Sequence, residues 1–222
     1  RQIATMALEG ILEAVDDVVP QQARILFLGL DNAGKTCILR KLTDQPFIRL
    51  HPTQGFNIEA IEYGTTRLNI WDIGGRRNLR DYWANYFEFS DGLVFVVDSG
   101  DRTRLQEARD ELNWLLSAEL LAGIPTLVFA NKQDMMQAVP SSELAGMLEM
   151  EGIRDRSWLV QACSAHTGEG LDEGMRWIVK ASMASEKGAQ EEAEDKEDPD
   201  LEQPDNEEGD GEEAAEEPEA AE

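Results

Sequence analysis

Gly29-Leu30-Asp31-Asn32-Ala33-Gly34-Lys35-Thr36 fits the pattern G-x-x-x-x-G-K-[ST]. A loop of this type closes its backbone N–H groups around phosphate oxygens, and a helix starting at its end adds the positive end of its dipole. Lys35 would bridge terminal phosphates, and the Thr36 hydroxyl would bind Mg²⁺. Cys37 follows directly and belongs to the same nucleotide-contacting run. It reads as a small buried residue rather than a reactive thiol. A glycine-containing strand-to-helix turn also matches this pattern by chance, so the decision falls to residues further along the chain.

Four downstream signals occur in an interpretable order. Thr53, in Pro52-Thr53-Gln54-Gly55-Phe56-Asn57, lies on a loop and could supply a second hydroxyl to Mg²⁺. Asp72, in Trp71-Asp72-Ile73-Gly74-Gly75, ends an apolar run and could hold the ion through water, while Gly75 lets a backbone N–H approach the terminal phosphate. Asn131-Lys132-Gln133-Asp134 follows another apolar run. The Asp134 carboxylate can accept from both N1–H and the exocyclic amine of guanine, a donor pair that adenine lacks. A buried acceptor left unpaired is costly, which makes the base choice sharp. Cys163-Ser164-Ala165 ends a last apolar run, where a backbone N–H can meet the guanine carbonyl. Each signal alone is an ordinary cap, turn or polar loop. Together, with Asp72, Asn131–Asp134 and Cys163–Ala165 each expected at the C-terminal end of a strand, they describe a guanine-nucleotide site at the edge where open α/β sheets bind ligands.

The elements that must position these groups follow from periodicity. Strands are expected at 24–29, 56–63, 67–73, 93–98, 126–130 and 158–163, with 56–63 and 67–73 forming a hairpin around Gly64. Helices are expected at 35–42, 78–89, 103–121, 141–150 (with a serine cap) and 170–183. Nearly continuous apolar strands alternating with helices mean an α/β fold, a mostly parallel sheet covered on both faces. Residues 3–19 carry apolar side chains at helical spacing before Pro20, with an acidic polar face. The division is then an N-terminal amphipathic helix at 1–20, a nucleotide-binding domain at 21–184 and an acidic disordered tail at 185–222.

The formal net charge of the 222 residues is -25. It is unevenly spread, for residues 186–222 hold 19 acidic and 2 basic side chains, a net of -17, leaving -8 in 1–185. Such a balance excludes a direct nucleic-acid binder and disfavours tight binding to anionic membranes. The tail lacks the apolar area to offset its ordering entropy, and reads as a solvated segment or, alternatively, as a docking element for a basic partner. Two cysteines give no disulfide framework and fit a cytoplasmic setting. There is no secretory leader pattern. The chain begins at Arg1, so an acylation signal upstream would be invisible.

With these residues quoted, the chain resembles the ADP-ribosylation factor-like small GTPases of the Arf family over about residues 1–184. The carriers are residues 29–36, 71–75 and 131–134, with 52–57, 153–156 and 163–170 in support. The resemblance implies a P-loop small G domain: a six-stranded, mostly parallel sheet, five main helices and an additional N-terminal helix. It implies GTP and GDP as ligands with Mg²⁺, and two nucleotide-sensing switches, around Thr53 and after Asp72. The 56–73 hairpin would shift register between the two states and displace the N-terminal helix. It further implies a monomer whose GTP state binds carriers of lipidated cargo and releases that cargo, often into cilia. An exchange factor and a GTPase-activating protein would serve it, in the cytoplasm and at ciliary or Golgi-peripheral membranes. Apart from the resemblance, the acidic polar face of residues 3–19 leads to an expectation of weak or transient membrane contact.

One position departs from the pattern. Where the family carries the Gln that orients the attacking water, this chain carries Arg76. Arg has five donors and no acceptor. It can place positive charge near the γ-phosphate, alongside Lys35 and Gly75, but cannot accept a proton from water as the Gln carbonyl does. Slow GTP hydrolysis is the expectation; a non-hydrolysing GTP-binding module that regulates another GTPase is the alternative. Arg76 could instead simply face solvent or pair with nearby carboxylates. An ATPase or nucleoside kinase is disfavoured by Asp134. Trp83, Tyr86, Phe87 and Phe89 are expected on one helix, mainly as core, with an exposed effector patch as the other reading.

Overall fold

The computed structural model describes residues 21–46 and 51–194, with side chains through 185. The expectations for residues 1–20 and for 195–222 lie outside the described residues.

Six strands form one sheet: β1 (Gln21–Leu28), β2 (Phe56–Tyr63), β3 (Thr66–Ile73), β4 (Gly92–Asp98), β5 (Thr126–Asn131) and β6 (Trp158–Ala162), in the order β2-β3-β1-β4-β5-β6. Five strands are parallel, and β2 alone runs antiparallel, against β3. Side chains alternate across the sheet as the pleat requires. Leu26, Leu28, Phe95 and Val128 face one core, while Ile25, Phe27, Val94, Val96 and Phe129 face the other. Helix α3 (Leu105–Leu116) covers the first face with Leu105, Ala108, Leu112 and Leu115, and α4 (Ser141–Met147) adds Leu144. Helices α1 (Lys35–Leu42) and α5 (Leu171–Glu194) cover the second with Ile38, Leu39, Met175 and Ile178. The chain leaves β1 at the centre, where β3 and β4 depart to opposite sides, and this is the topological switch point of an open α/β sheet.

Four expected helices differ from what the chain forms. The 78–89 helix is broken into α2 (Arg77–Arg80) and a 3₁₀ turn at Trp83–Tyr86. The four-residue aromatic spacing persists, with Trp83 and Phe87 buried, but side-chain bonds from Arg80 to the Gly75 carbonyl and from Trp83 to the Gly74 carbonyl pin the segment turn by turn. Phe89 is 78% exposed and has a positive φ, so it is no part of the core. The 103–121 helix stops at Leu116, where the Ser117 hydroxyl donates to the Trp114 carbonyl, and a separate 3₁₀ turn forms at Glu119–Leu121. Helix α4 ends at Met147, its N-cap position is Pro140, and no side-chain cap bond forms there. Glu149, with a positive φ, separates α4 from a 3₁₀ turn at Met150–Gly152. Helix α5 continues past Met183 to Glu194, into the segment assigned to the acidic tail. That stretch is rich in Ala and Glu, which favour helix without needing an apolar stripe.

Gly170 locks the start of α5 onto the sheet. Its φ is +74°, and a Cβ there would lie 1.9 Å from the Ala162 carbonyl oxygen. Gly170→Ala should therefore destabilise the domain by on the order of 3 kcal/mol, measurable by chemical denaturation. A loss under about 1 kcal/mol would mean that β6 and α5 can separate at no real cost.

Candidate functional site

The phosphate loop bends through three left-handed residues, Gly29, Asn32 and Gly34. A Cβ at Gly29 would strike the Val96 carbonyl, and one at Gly34 the Asn131 side chain, so close packing as well as φ requires glycine at both. Gly34 is the N-cap residue of α1 and no side chain caps that end, so the first N–H groups of the helix have no intrahelical partner. Leu30 and Ala33 are buried beneath the loop. Lys35 is buried as well, and its Nζ donates to the Gly29 carbonyl (2.7 Å) and the Leu30 carbonyl (3.0 Å). Burial pulls its ammonium down to about 8, against the opposing pull of Asp72 and Asp31. One of its three donors remains for an anion. Cys37 is half-buried against the core, and burial raises its thiol.

The three expected metal residues converge. Thr36 Oγ1 donates to Asp72 Oδ2 at 2.6 Å and lies 2.9 Å from Thr53 Oγ1. Asn57 Nδ2 donates to the same Asp72 oxygen at 3.1 Å. Asp72 Oδ1 is buried and has no hydrogen-bond partner among the described residues. Two hydroxyls and a carboxylate with a spare buried oxygen make an all-oxygen donor set that fits Mg²⁺. Burial raises the Asp72 carboxyl, opposed by the Thr36 hydrogen bond and Lys35. A cation here would favour the ionised form.

Gly75 packs directly on the phosphate loop, its carbonyl accepting from the Asp31 N–H at 3.1 Å. Arg76 lies exposed beside it and lines the same cleft as Lys35, Thr36 and Thr53, a space of about 180 Å³. Among the described residues its side chain makes no hydrogen bond or ion pair, so the pairing with nearby carboxylates considered for it is not the arrangement adopted.

The base-reading residues are also brought together, with two corrections. Asn131 is buried, donates to the Ala33 carbonyl (2.8 Å) and accepts from the Ala165 N–H (2.9 Å). A backbone N–H in 163–165 is expected to face a guanine carbonyl, but here the Cys163 N–H donates to the Ala130 carbonyl, the Ser164 N–H to the Glu169 carbonyl and the Ala165 N–H to Asn131. Asp134, expected as a buried acceptor, is exposed. The Ser164 hydroxyl donates to Asp134 Oδ1 at 2.6 Å and holds its carboxyl below the usual carboxylate range. Lys132 has a positive φ and pairs with Asp98 at 2.6 Å.

Several positioning groups have no local signature. Arg104 donates to the Asp31 side chain and carbonyl and to Asp101, and Arg80 joins Gly75 to Glu107 and Glu111. Asn57 could have been found. The hairpin turn pairs Tyr63 with Thr66, and counting back places Asn57 opposite Asp72.

The profile of the ADP-ribosylation factor family matches residues 9–182. The chain belongs to the ADP-ribosylation factor family. It is thus a small GTPase, and its mixed, mostly parallel six-stranded sheet is the family's G domain. It is 52% identical over 159 residues to ADP-ribosylation factor-like protein 3 of Chlamydomonas reinhardtii, covering 72% of this chain and 90% of that one. It is 45% identical over 174 residues to the protein of the same name from Caenorhabditis elegans, covering 78% and 95%. Among solved structures it is similar to the Arl6 (BBS3) small GTPase of Trypanosoma brucei with a bound nucleotide analogue, at TM-score 0.69 and 30% identity, over 74% of this chain and 99% of that one.

Proposed function

We propose that this Arf-family GTPase is a slow-hydrolysing GTP switch whose GTP state engages carriers of lipidated cargo. The observation that carries the switch reading is the Thr36–Thr53–Asp72 cluster, in which a residue of the 51–55 loop reaches the phosphate loop. Thr36 and Thr53, with Asp72 through water, would hold Mg²⁺, which when bound neutralises phosphate oxygens. The N–H groups at the start of α1 and the remaining Lys35 donor would meet the phosphates, and the Gly75 N–H the terminal one. Asp134 and Ser164 read the base. Water would attack the γ-phosphate in line, with Arg76 offering charge but no acceptor to orient that water. Cargo release, ciliary or Golgi-peripheral location and a monomeric state belong to this proposal through the resemblance stated above, and weak membrane contact through the acidic polar face of residues 3–19.

Identifying the nucleotide that co-purifies with the full chain, and following its turnover, tests the switch itself. Arg76→Gln should raise the single-turnover GTP hydrolysis rate by at least about tenfold, since a water-orienting acceptor is restored. An unchanged or lower rate would falsify the role given to Arg76. A second reading, a GTP-binding module that does not hydrolyse, is favoured by the same unpaired Arg76. It predicts no turnover in wild type even with an activating protein present.

A further inference from the structure

Arg80 is 5% exposed, yet it lies on the segment expected to sense the nucleotide. Its guanidinium serves three elements at once. Nε donates to the Gly75 carbonyl at 2.9 Å, Nη1 to Glu107 (2.8 Å) and Glu111 (2.9 Å), and Nη2 lies 3.6 Å from Asp31 Oδ1. Glu107 and Glu111 are four apart on α3 and so share one face of that helix. A buried cation needs such pairing, and only a planar fork can meet a carbonyl and two carboxylates together.

The group most constrained by this fork is the Gly75 carbonyl. It accepts from Arg80 on one side and from the Asp31 N–H on the other. The two preceding peptides are held independently: the Gly74 N–H donates to the Gly55 carbonyl, and the Gly74 carbonyl, which shares its peptide plane with the Gly75 N–H, accepts from Trp83 Nε1. With both carbonyls tied, the Gly75 N–H has a fixed position and donates to no group among the described residues. A diphosphate has no third phosphoryl group to meet that N–H.

We propose that Arg80 is a positioning residue that sets preference for the triphosphate, by latching the Gly75 carbonyl between α3 and the phosphate loop and so fixing the residue whose N–H lies on the other side. This rests on the switch reading and deepens it. Glu107 and Glu111 are the latch's anchor, so a change on α3, far along the chain from Gly75, alters the affinity for the terminal phosphate.

The test uses the full chain as wild type, Arg80→Gln, Arg80→Lys and the double variant Glu107→Gln/Glu111→Gln. Affinities for fluorescent GDP and for a non-hydrolysable fluorescent GTP analogue are measured side by side. Triphosphate affinity should fall at least about tenfold in both Arg80 variants and about threefold or more in the double variant, as charge-assisted bonds are lost. GDP affinity should stay within about threefold of wild type, because the latch meets the phosphate loop at Asp31 alone, and the bonds from Lys35 to Gly29 and Leu30 and from Asn131 to Ala33 still hold the loop. The Arg80→Lys variant should not rescue, since a point charge cannot fork. A parallel loss for both nucleotides would make Arg80 merely structural and overturn the proposal, as would no loss for either. The double variant keeps the test valid if the Arg80 variants fail to fold. Wild type that binds neither nucleotide would overturn the switch reading, and the latch with it, whereas wild-type binding without the split in the variants overturns the latch alone.

Discussion

Asp134→Asn should lower GTP affinity by about a hundredfold or more and raise affinity for xanthosine triphosphate. The Ser164 hydroxyl keeps the Asp134 carboxyl below the ordinary range, so at neutral pH both oxygens are acceptors. Guanine offers two donors to them, N1–H and the exocyclic amine. Asn preserves the shape and retains an oxygen for one of those donors, but its NH₂ group then confronts the amine. Xanthine carries an oxo group at that position and accepts from the NH₂. Competition against a fluorescent nucleotide gives both affinities directly. If GTP and xanthosine triphosphate weaken together, Asp134 acts through loop structure and not through the base. Because its folded-state pKa is depressed, recognition should persist as pH falls through the usual carboxylate range and fail only below it.

Gly75→Ala should abolish the response to the third phosphate while leaving GDP bound. A Cβ at Gly75 would lie 2.2 Å from the Gly29 carbonyl oxygen, 2.5 Å from the Leu30 carbon and 2.6 Å from the Asp31 nitrogen. All three are backbone atoms of the phosphate loop, so no flexible side chain can yield. The Gly75 segment must withdraw, and its bond with the Asp31 N–H is lost. Triphosphate affinity should fall at least about tenfold. Trp71 precedes Asp72, and Trp83 donates to the Gly74 carbonyl, so tryptophan fluorescence reports on the segment. Wild type should change its emission on exchange of GDP for a non-hydrolysable GTP analogue, and the variant should not. A variant with the full wild-type change would show that the loop accommodates the methyl group.

Local pattern revealed what local physics determines. The phosphate loop, the hairpin and the strand ends carrying Asp72, Asn131 and Ser164 all occur where periodicity places them, because apolar runs and turn glycines encode them directly. Helix continuity was less legible. Residues 78–89 have helical spacing, but contacts to Gly74 and Gly75 override it, and those partners are distant in pattern if near in number. The exposure of Asp134 and the engagement of the Ala165 amide by Asn131 depend on how three loops meet, which no single window of sequence records. The Arg80 and Arg104 networks were invisible for the same reason. Arg80 reaches Glu107 across 27 positions and Arg104 reaches Asp31 across 73, and no spacing rule links them.

Asn131 has a mechanical consequence. By bonding at once to Ala33 in the phosphate loop and Ala165 in the base loop, it makes the two grips on a nucleotide parts of one rigid clamp. A ligand held at both ends behaves like a chelate: one end can let go and be recaptured before the other does. Residence time is then set by the rarer event of both ends opening together. A protein that speeds exchange needs only to pry one end, provided that it keeps that end open long enough for the other to fail.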